Sequence, residues 1–435
     1  MKYTMNNSAL LRSALILGTS IALGACNLDL ENPNAPTEEE VLASIDGVIG
    51  LAVGMQDQYA SAVENFVVTG ALITDEWATQ SRALVSYRSL IDGVDFDNTY
   101  GVVSAPWSQA YRVIKSANTL LEVDTNTDLG LGDGMKAGLV SLAHLFRGMA
   151  YGQLALQYNQ APVDVSVEYP VPQPRATVLA EALSALEAAR SRLAGVPDAD
   201  LAGFRTRVID SPAFDLKNTI DAMLARFYLA DGQYANAIAA ANRVDLSILS
   251  VFRYPSPDRN PIENLAFQAL YVAALESFVT DAEAGDDRPA YWVDVGAGSF
   301  VGNPDSVMLP LLQYSGANDS YPIYLPDEMK LIKAEALTRT GDLAGAATLV
   351  NEVRTQNTSA VDEPVANLGA LPGPALDTEA ELIAQIAYER RYELFMQGLR
   401  WDDTRRLGVA VTTTPTMTFL PTPASECDSN PQSGC

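Results

Sequence analysis

Histidine, cysteine and basic residues are scarce in this sequence of 435 residues. The only histidine is His144, which excludes histidine-rich metal sites and any catalytic site that needs two imidazoles. There are 28 basic residues against 54 acidic ones, a formal net charge of −26, so the clustered lysines and arginines that bind nucleic acid are not expected. The sequence also lacks a glycine-rich phosphate loop, a G-x-S-x-G motif and clustered metal ligands, and we predict no cofactor and no metal.

Long apolar runs are also missing, except for a short one near the start. Lys2 and Arg12 flank the apolar run "ALILGTSIALGAC", which is typical of a secretory signal peptide and too short for a transmembrane helix. Its end, Leu23 to Cys26, resembles a bacterial lipobox. We therefore predict a signal peptide at 1–25, lipidation of Cys26 and a tether at 26–36. The alternative is an ordinary signal peptide followed by an incidental cysteine.

Two further cysteines, Cys427 and Cys435, lie close together in the sequence. Exported proteins occupy oxidising compartments in which neighbouring thiols tend to pair, so we predict a disulfide. Two free thiols are the alternative.

Helical periodicity dominates the rest of the chain. Two later segments resemble each other, since aligning Gly232 with Gly341 also matches Ala225 with Ala334. Tetratricopeptide helix pairs have small residues where the two helices cross and a glycine at the turn, at the same spacing as in these segments. We predict an all-α, tetratricopeptide-like scaffold with such units near 139–200, 221–245 and 327–354.

The region near 251–326 interrupts this pattern with proline, glycine, acidic and aromatic residues. It predicts loops and short strands, and long irregular insertions in ordered domains are often functional. Flat aromatic rings suit the faces of sugars, and nearby polar groups can read hydroxyls. The candidate ligand contacts lie in this region and in or shortly after the segment "TDEW", residues 74–77: Trp77, Arg82, Tyr87, Tyr291, Trp292 and Tyr314.

The segment "YERRYELFMQGLRWDDTRR", residues 388–406, resembles the C-terminal signature of the SusD/RagB family. The matching positions are Glu389, Arg390, Arg391, Glu393, Leu394, Gly398, Arg400, Asp403 and Arg406. Gln397 and Leu399 depart from the pattern. The stretch from Ala334 to Arg354 and the tail "FLPTPASECDSNP" are also similar to the family, so the resemblance covers nearly all of 37–435.

The resemblance implies a SusD-like outer-membrane lipoprotein that faces the cell exterior. It would bind an oligosaccharide, or alternatively a peptide, and deliver it to a TonB-dependent SusC-like transporter without catalysis.

Two other functions stay open. One is a surface glycoside hydrolase that uses Asp75 and Glu76, or Glu389 and Glu393, as its paired carboxylates. We interpret "TDEW" instead as a capped helix start. We interpret Glu389 and Glu393 as a charge network whose arginines keep the carboxylates ionised, the wrong state for a general acid. The other function is a tetratricopeptide scaffold that binds only proteins.

Overall fold

The computed structural model describes residues 37–92, 96–126, 129–209, 212–302, 306–409 and 417–435. The predicted signal peptide, Cys26 and the tether up to residue 36 lie outside these described residues.

Helices make up most of the described chain. They are α1 Glu38–Leu42, α2 Ile45–Ile73, α3 Val85–Asp92, α4 Gly101–Leu121, α5 Asp133–Gln157, α6 Arg175–Arg192, α7 Ala202–Arg207, α8 Leu216–Ala230, α9 Tyr234–Ala241, α10 Pro261–Glu263, α11 Ser277–Thr280, α12 Arg288–Trp292, α13 Pro326–Thr340, α14 Leu343–Thr355, α15 Glu379–Glu393, α16 Arg400–Leu407 and α17 Ala424–Ser429. Short 3₁₀ or π turns occupy Glu122–Asp124, Asn264–Gln268 and Gly373–Ala375.

The strands in the described part of the chain are few and short. They are β1 Trp77–Thr79, β2 Gln160–Pro162, β3 Pro172–Pro174, β4 Val251–Phe252, β5 Val272–Leu275, β6 Phe300–Val301, β7 Val307–Leu309 and β8 Tyr321–Pro322. Antiparallel pairing builds one four-stranded sheet in the order β1-β5-β7-β6, together with the two-stranded ladders β2-β3 and β4-β8.

The predicted tetratricopeptide ranges each contain a packed helix pair: α5 with α6, α8 with α9, and α13 with α14. Gly232 and Gly341 have φ angles of 72° and 90°, so both glycines make the left-handed turn between the two helices of a pair. Ala225 and Ala334 are fully buried at the aligned positions. The repeat inferred from the sequence therefore corresponds to a repeated turn and a repeated close helix contact.

One close contact between helices joins α5 to α8. A Cβ atom on Gly152 would lie 2.0 Å from Cζ of Phe227, which is itself buried. Only glycine allows this ring to lie against the backbone of α5.

The C-terminal tail is fixed to the body of the protein at several points. Cys427 and Cys435 are joined by a disulfide, with their Cα atoms 5.7 Å apart. Between them, the Asn430 side chain donates a hydrogen bond of 2.7 Å to the carbonyl of Pro170.

Candidate ligand-binding surface

The "TDEW" segment ends a helix and does not begin one, so the predicted capped helix start is wrong. Thr74 follows the last residue of α2, and its hydroxyl donates back to the Gly70 carbonyl at 2.7 Å. Asp75 then adopts a left-handed φ of 58°, which turns the chain into β1. The turn aims Glu76 and Trp77 into the protein, where they are 2% and 1% exposed.

Burial changes the acid–base properties of Glu76. Desolvation raises the pKa of Glu76 to about 8, an effect that the nearby Arg400 opposes and Asp403 reinforces. A raised pKa is a property of general acids, but this side chain has almost no contact with solvent. The carboxyl is therefore not available to a polysaccharide.

Replacing this carboxyl tests its buried state. The unfolded chain loses the Glu76 proton near pH 4.5 and the folded chain near pH 8, so stability falls as pH rises between these values. We expect Glu76→Gln to remove this loss, about 3 kcal/mol between pH 5 and pH 8 in urea unfolding. Glu39→Gln, in exposed α1, controls for the loss of one negative charge. An equally steep pH profile in Glu76→Gln would contradict the assignment.

The sheet brings the loop after β1 to the start of β5. Trp77 lies opposite Ala274 in the ladder, and the Gln80 amide donates to the Tyr271 carbonyl at 2.8 Å. Nearly two hundred residues separate these strands in the sequence, so the pairing joins the two regions in which ligand contacts were predicted. Tyr271 itself was not predicted, although its place at the start of a strand in the irregular region was a usable signal.

Tyr87 and Tyr271 form an aromatic pair on this surface. Their ring centroids are 5.7 Å apart, and both side chains are half-buried. Arg82 is exposed in the preceding turn, which Arg88 supports by donating to the Ala83 carbonyl at 2.8 and 3.2 Å. We call Arg82, Tyr87 and Tyr271 the tyrosine surface.

The half-buried carboxyl of Glu64 lies close to this surface. Desolvation raises the pKa of Glu64 to about 7, and burial together with the charge of Glu64 raises the pKa of Tyr87 to about 12. The Tyr87 hydroxyl therefore stays protonated at neutral pH and can both donate and accept hydrogen bonds.

The other predicted aromatics lie mostly inside the protein. Trp292 is fully buried, and its Nε1 donates to the Tyr392 carbonyl at 2.9 Å. Tyr314 is 6% exposed, with its ring centroid 6.4 Å from that of Trp292. These rings pack the insertion against α15. Tyr291 is half-buried, and its hydroxyl donates to Asp362 at 3.1 Å.

The six predicted contacts thus fall into two groups. Arg82, Tyr87 and Tyr291 reach the surface. Trp77, Trp292 and Tyr314 present no face to solvent, because the sheet and the neighbouring aromatic rings cover them.

An open groove of about 680 Å³ lies elsewhere, between α4 and residues 162–170. Trp107 and Tyr111 line it together with Arg112, Lys115 and Glu168. Its volume suits a small ligand. None of the six predicted contacts lies on α4, although Trp107 and Tyr111, four residues apart on one helix, were a signal for this wall.

The signature carboxylates Glu389 and Glu393 lie one turn apart and are fully buried, as an ion network requires. Arg288 Nη1 donates to Glu389 at 2.6 Å and to Glu393 at 3.3 Å, and the same guanidinium binds Asp286 with two further hydrogen bonds. Arg354 donates to the other oxygen of Glu389 at 2.9 Å. No sugar can reach either carboxylate past this packing.

The expected ionisation of these carboxylates is wrong for Glu393. Burial raises its pKa well above the usual value, and the charges of Asp327 and Glu363 add to the effect more than Arg288 offsets it. Arginines that are close to Glu393 in the sequence do not neutralise it. The arginine that contacts Glu393 is Arg288, and its one positive charge is shared among three carboxylates.

Among the described residues, no helix is both long and apolar enough to cross a membrane. Residues 314–432 match the model of the SusD family. The fold is similar to a SusD homolog from Bacteroides thetaiotaomicron, with a TM-score of 0.71 and 17% identity over 91% of this chain and 98% of that one. The resemblance to the SusD/RagB family is confirmed.

The predicted helical, tetratricopeptide-like fold class is confirmed by the same SusD-like structures. A SusD-like carbohydrate-binding protein from Bacteroides vulgatus has a TM-score of 0.63 and 15% identity, over 83% of each chain. A SusD-like protein of Formosa agariphila is 39% identical over 85 residues, which are 19% of this chain and only 16% of that relative.

The SusD family match covers α13 to α17 and Cys427, and it ends before the disulfide partner Cys435. Of the six candidate contacts, only Tyr314 falls within it. The tyrosine surface lies outside the matched residues, so the family match gives no information about its role.

Proposed function

We propose that the protein is a non-catalytic surface lipoprotein that captures oligosaccharides. This proposal rests on the difference in solvent exposure between the candidate sugar-binding residues and the candidate catalytic carboxylates. Tyr87, Tyr271 and Arg82 reach the surface, whereas Glu76, Glu389 and Glu393 are at most 2% exposed. Glycoside hydrolysis needs two carboxyl groups at the scissile bond, but sugar binding needs only open aromatic faces and hydrogen-bonding groups.

The kind of ligand follows from the same surface. Two phenol rings offer apolar faces to a sugar ring, and their hydroxyls and the Arg82 guanidinium can bond to sugar hydroxyls. The carbohydrate-binding name of one SusD-like structure supports an oligosaccharide over a peptide, which is the second candidate.

The cellular setting is part of the proposal. Cys26 would carry the lipid that holds the protein on the outer membrane, facing the cell exterior. A TonB-dependent SusC-like transporter would receive the ligand. Copurification from detergent-solubilised membranes tests this partnership, and recovery without any large membrane protein would count against it.

The ligand surface is tested with the chain from residue 27 onward, which lacks the lipidation site. After a glycan and peptide screen identifies a ligand, we expect Tyr87→Ala and Tyr271→Ala each to weaken binding about tenfold in titration calorimetry. Arg82→Ala should have a smaller effect, about threefold. Tyr169→Ala is the matched control, since this exposed tyrosine lies beside the groove. If Tyr169→Ala weakened binding as much as Tyr87→Ala, the ligand would belong in the groove.

The two alternatives make different predictions. A hydrolase would release reducing sugar from polysaccharides. If the protein did so and Glu76→Gln abolished the release, the protein would be a hydrolase and the proposed binding function would be wrong. A protein-binding scaffold would retain no glycan or peptide on affinity gels but would still copurify with a membrane partner.

A further inference from the structure

Three buried carboxylates from separate segments meet near α15. Asp327 lies in the first turn of α13, Glu363 lies between α14 and α15, and Glu393 is the last residue of α15. Their exposed fractions are 1%, 7% and 0%. One oxygen from each side chain lies within 4.8 Å of the other two. We call these three residues the carboxylate cluster.

Some oxygens of the cluster have protein donors. Glu363 accepts hydrogen bonds from Ser359 Oγ at 2.6 Å, Gln356 Nε2 at 3.2 Å and the Asp327 amide at 3.3 Å. The Lys330 ammonium lies 2.5 Å from Asp327 Oδ1.

Other oxygens have none. Glu393 Oε1 and Asp327 Oδ2 are buried and receive no hydrogen bond from any residue in the described part of the chain. A buried acceptor without a donor is costly, and a carboxylate oxygen more so. These two oxygens belong to side chains that already converge, so a single bound group could satisfy both.

The charges around the cluster are also unbalanced. Lys330 offers one positive charge to the cluster, and it is directed at Asp327. Arg288 is a second cation near the cluster among the described residues, but it binds Asp286 and Glu389 at shorter distances than Glu393. Three carboxylates therefore share little more than one positive charge in a setting with poor solvation.

We infer that the carboxylate cluster binds one divalent cation, and that this cation is Ca²⁺. Two oxygens on opposite sides of a Ca²⁺ ion are about 4.8 Å apart, because each bond is about 2.4 Å long. The donors are all hard oxygens, which suit Ca²⁺ or Mg²⁺ and not softer metals. Ca²⁺ accepts irregular coordination from separate segments, whereas Mg²⁺ requires a near-ideal octahedron and keeps its water.

The cation would join three parts of the fold. It would fix the start of α13 and the end of α15 to the segment that carries Glu363. The preceding residue, Asp362, accepts the hydrogen bond from Tyr291. Binding would therefore stabilise this junction whether or not the proposed oligosaccharide function is correct.

The test compares the full chain after chelation with the same sample in 1 mM CaCl₂ or 1 mM MgCl₂ at pH 7.5. We expect Ca²⁺ to raise the thermal midpoint by about 5 °C and to bind with one-to-one stoichiometry in calorimetry. Mg²⁺ should produce a smaller shift. An unchanged thermal midpoint together with no heat of Ca²⁺ binding would overturn the inference. Bound protons would then be what neutralises the negative charge of the carboxylate cluster. An equal or larger shift with Mg²⁺ would overturn the choice of Ca²⁺.

Two variants separate the site from general stability. Glu393→Gln should abolish the Ca²⁺-induced shift and the binding heat, and Glu363→Gln serves the same purpose if the first variant fails to fold. Glu328→Gln is the matched control, because Glu328 is the next residue to Asp327 and equally buried, but it binds Arg226 at 2.6 and 2.7 Å. It should lower the midpoint yet keep the Ca²⁺ shift. Loss of the shift in Glu328→Gln as well would refute a specific site.

Discussion

Replacing Arg288 by methionine should lower the free energy of unfolding by about 3–5 kcal/mol. The guanidinium is fully buried and donates to Asp286, Glu389 and Glu393. Methionine fills similar space but leaves these carboxylates without their shared cation. Equilibrium urea unfolding at pH 7.5 measures the loss. The deficit should shrink at pH 5, where buried carboxyl groups without a cation retain their protons.

Arg207→Met provides the control for this prediction. Its ion pair with Asp46 has a similar length, 2.9 Å, but the two side chains are 49% and 91% exposed. Exposed pairs contribute at most about 1 kcal/mol, so this variant should be close to the parent. Equal deficits in the two variants would show that the buried network contributes no more than a surface ion pair.

Gly152→Ala should cost about 3 kcal/mol, although alanine favours helices. The new methyl carbon would lie 2.0 Å from Cζ and 2.4 Å from Cε1 of Phe227, so α5 and α8 would have to move apart. Thermal and urea unfolding measure the loss. Replacing Phe227 by leucine in the same chain should recover part of it, since the shorter side chain leaves room for the methyl group.

The control is the same substitution where space is free. Gly54 lies inside α2, and a Cβ atom there would meet no atom within 4 Å. Gly54→Ala should therefore stabilise the protein by about 0.5–1 kcal/mol. If both alanine variants were stabilising, the contact between Gly152 and Phe227 would not be as tight as the structure indicates.

Local patterns predicted much of the scaffold. The repeat containing Gly232 and Gly341 depends on a turn and a helix contact that neighbouring residues determine. The capping box at the start of α1 is equally local, with the Thr37 amide donating to Glu40 at 2.8 Å. Ser44 caps the next helix, α2, by accepting a hydrogen bond of 3.0 Å from the Gly47 amide.

The candidate site was less predictable because solvent exposure depends on distant partners. Trp77 and Trp292 resemble ligand-stacking residues in the sequence, yet the pairing of β1 with β5 and the contact with α15 bury them. The same holds for the carboxylate cluster. Asp327, Glu363 and Glu393 are separated by about thirty residues or more each, and only the packing of α13 against α15 brings them together.

The length of α2 has a spatial consequence. Its first residue, Ile45, lies near the start of the described chain, and Glu64 lies close to the tyrosine surface. At 1.5 Å per residue, these two positions are about 28 Å apart along the helix axis. The rigid helix α2 therefore holds the tyrosine surface nearly the thickness of a bilayer's hydrocarbon core away from its own N-terminal end.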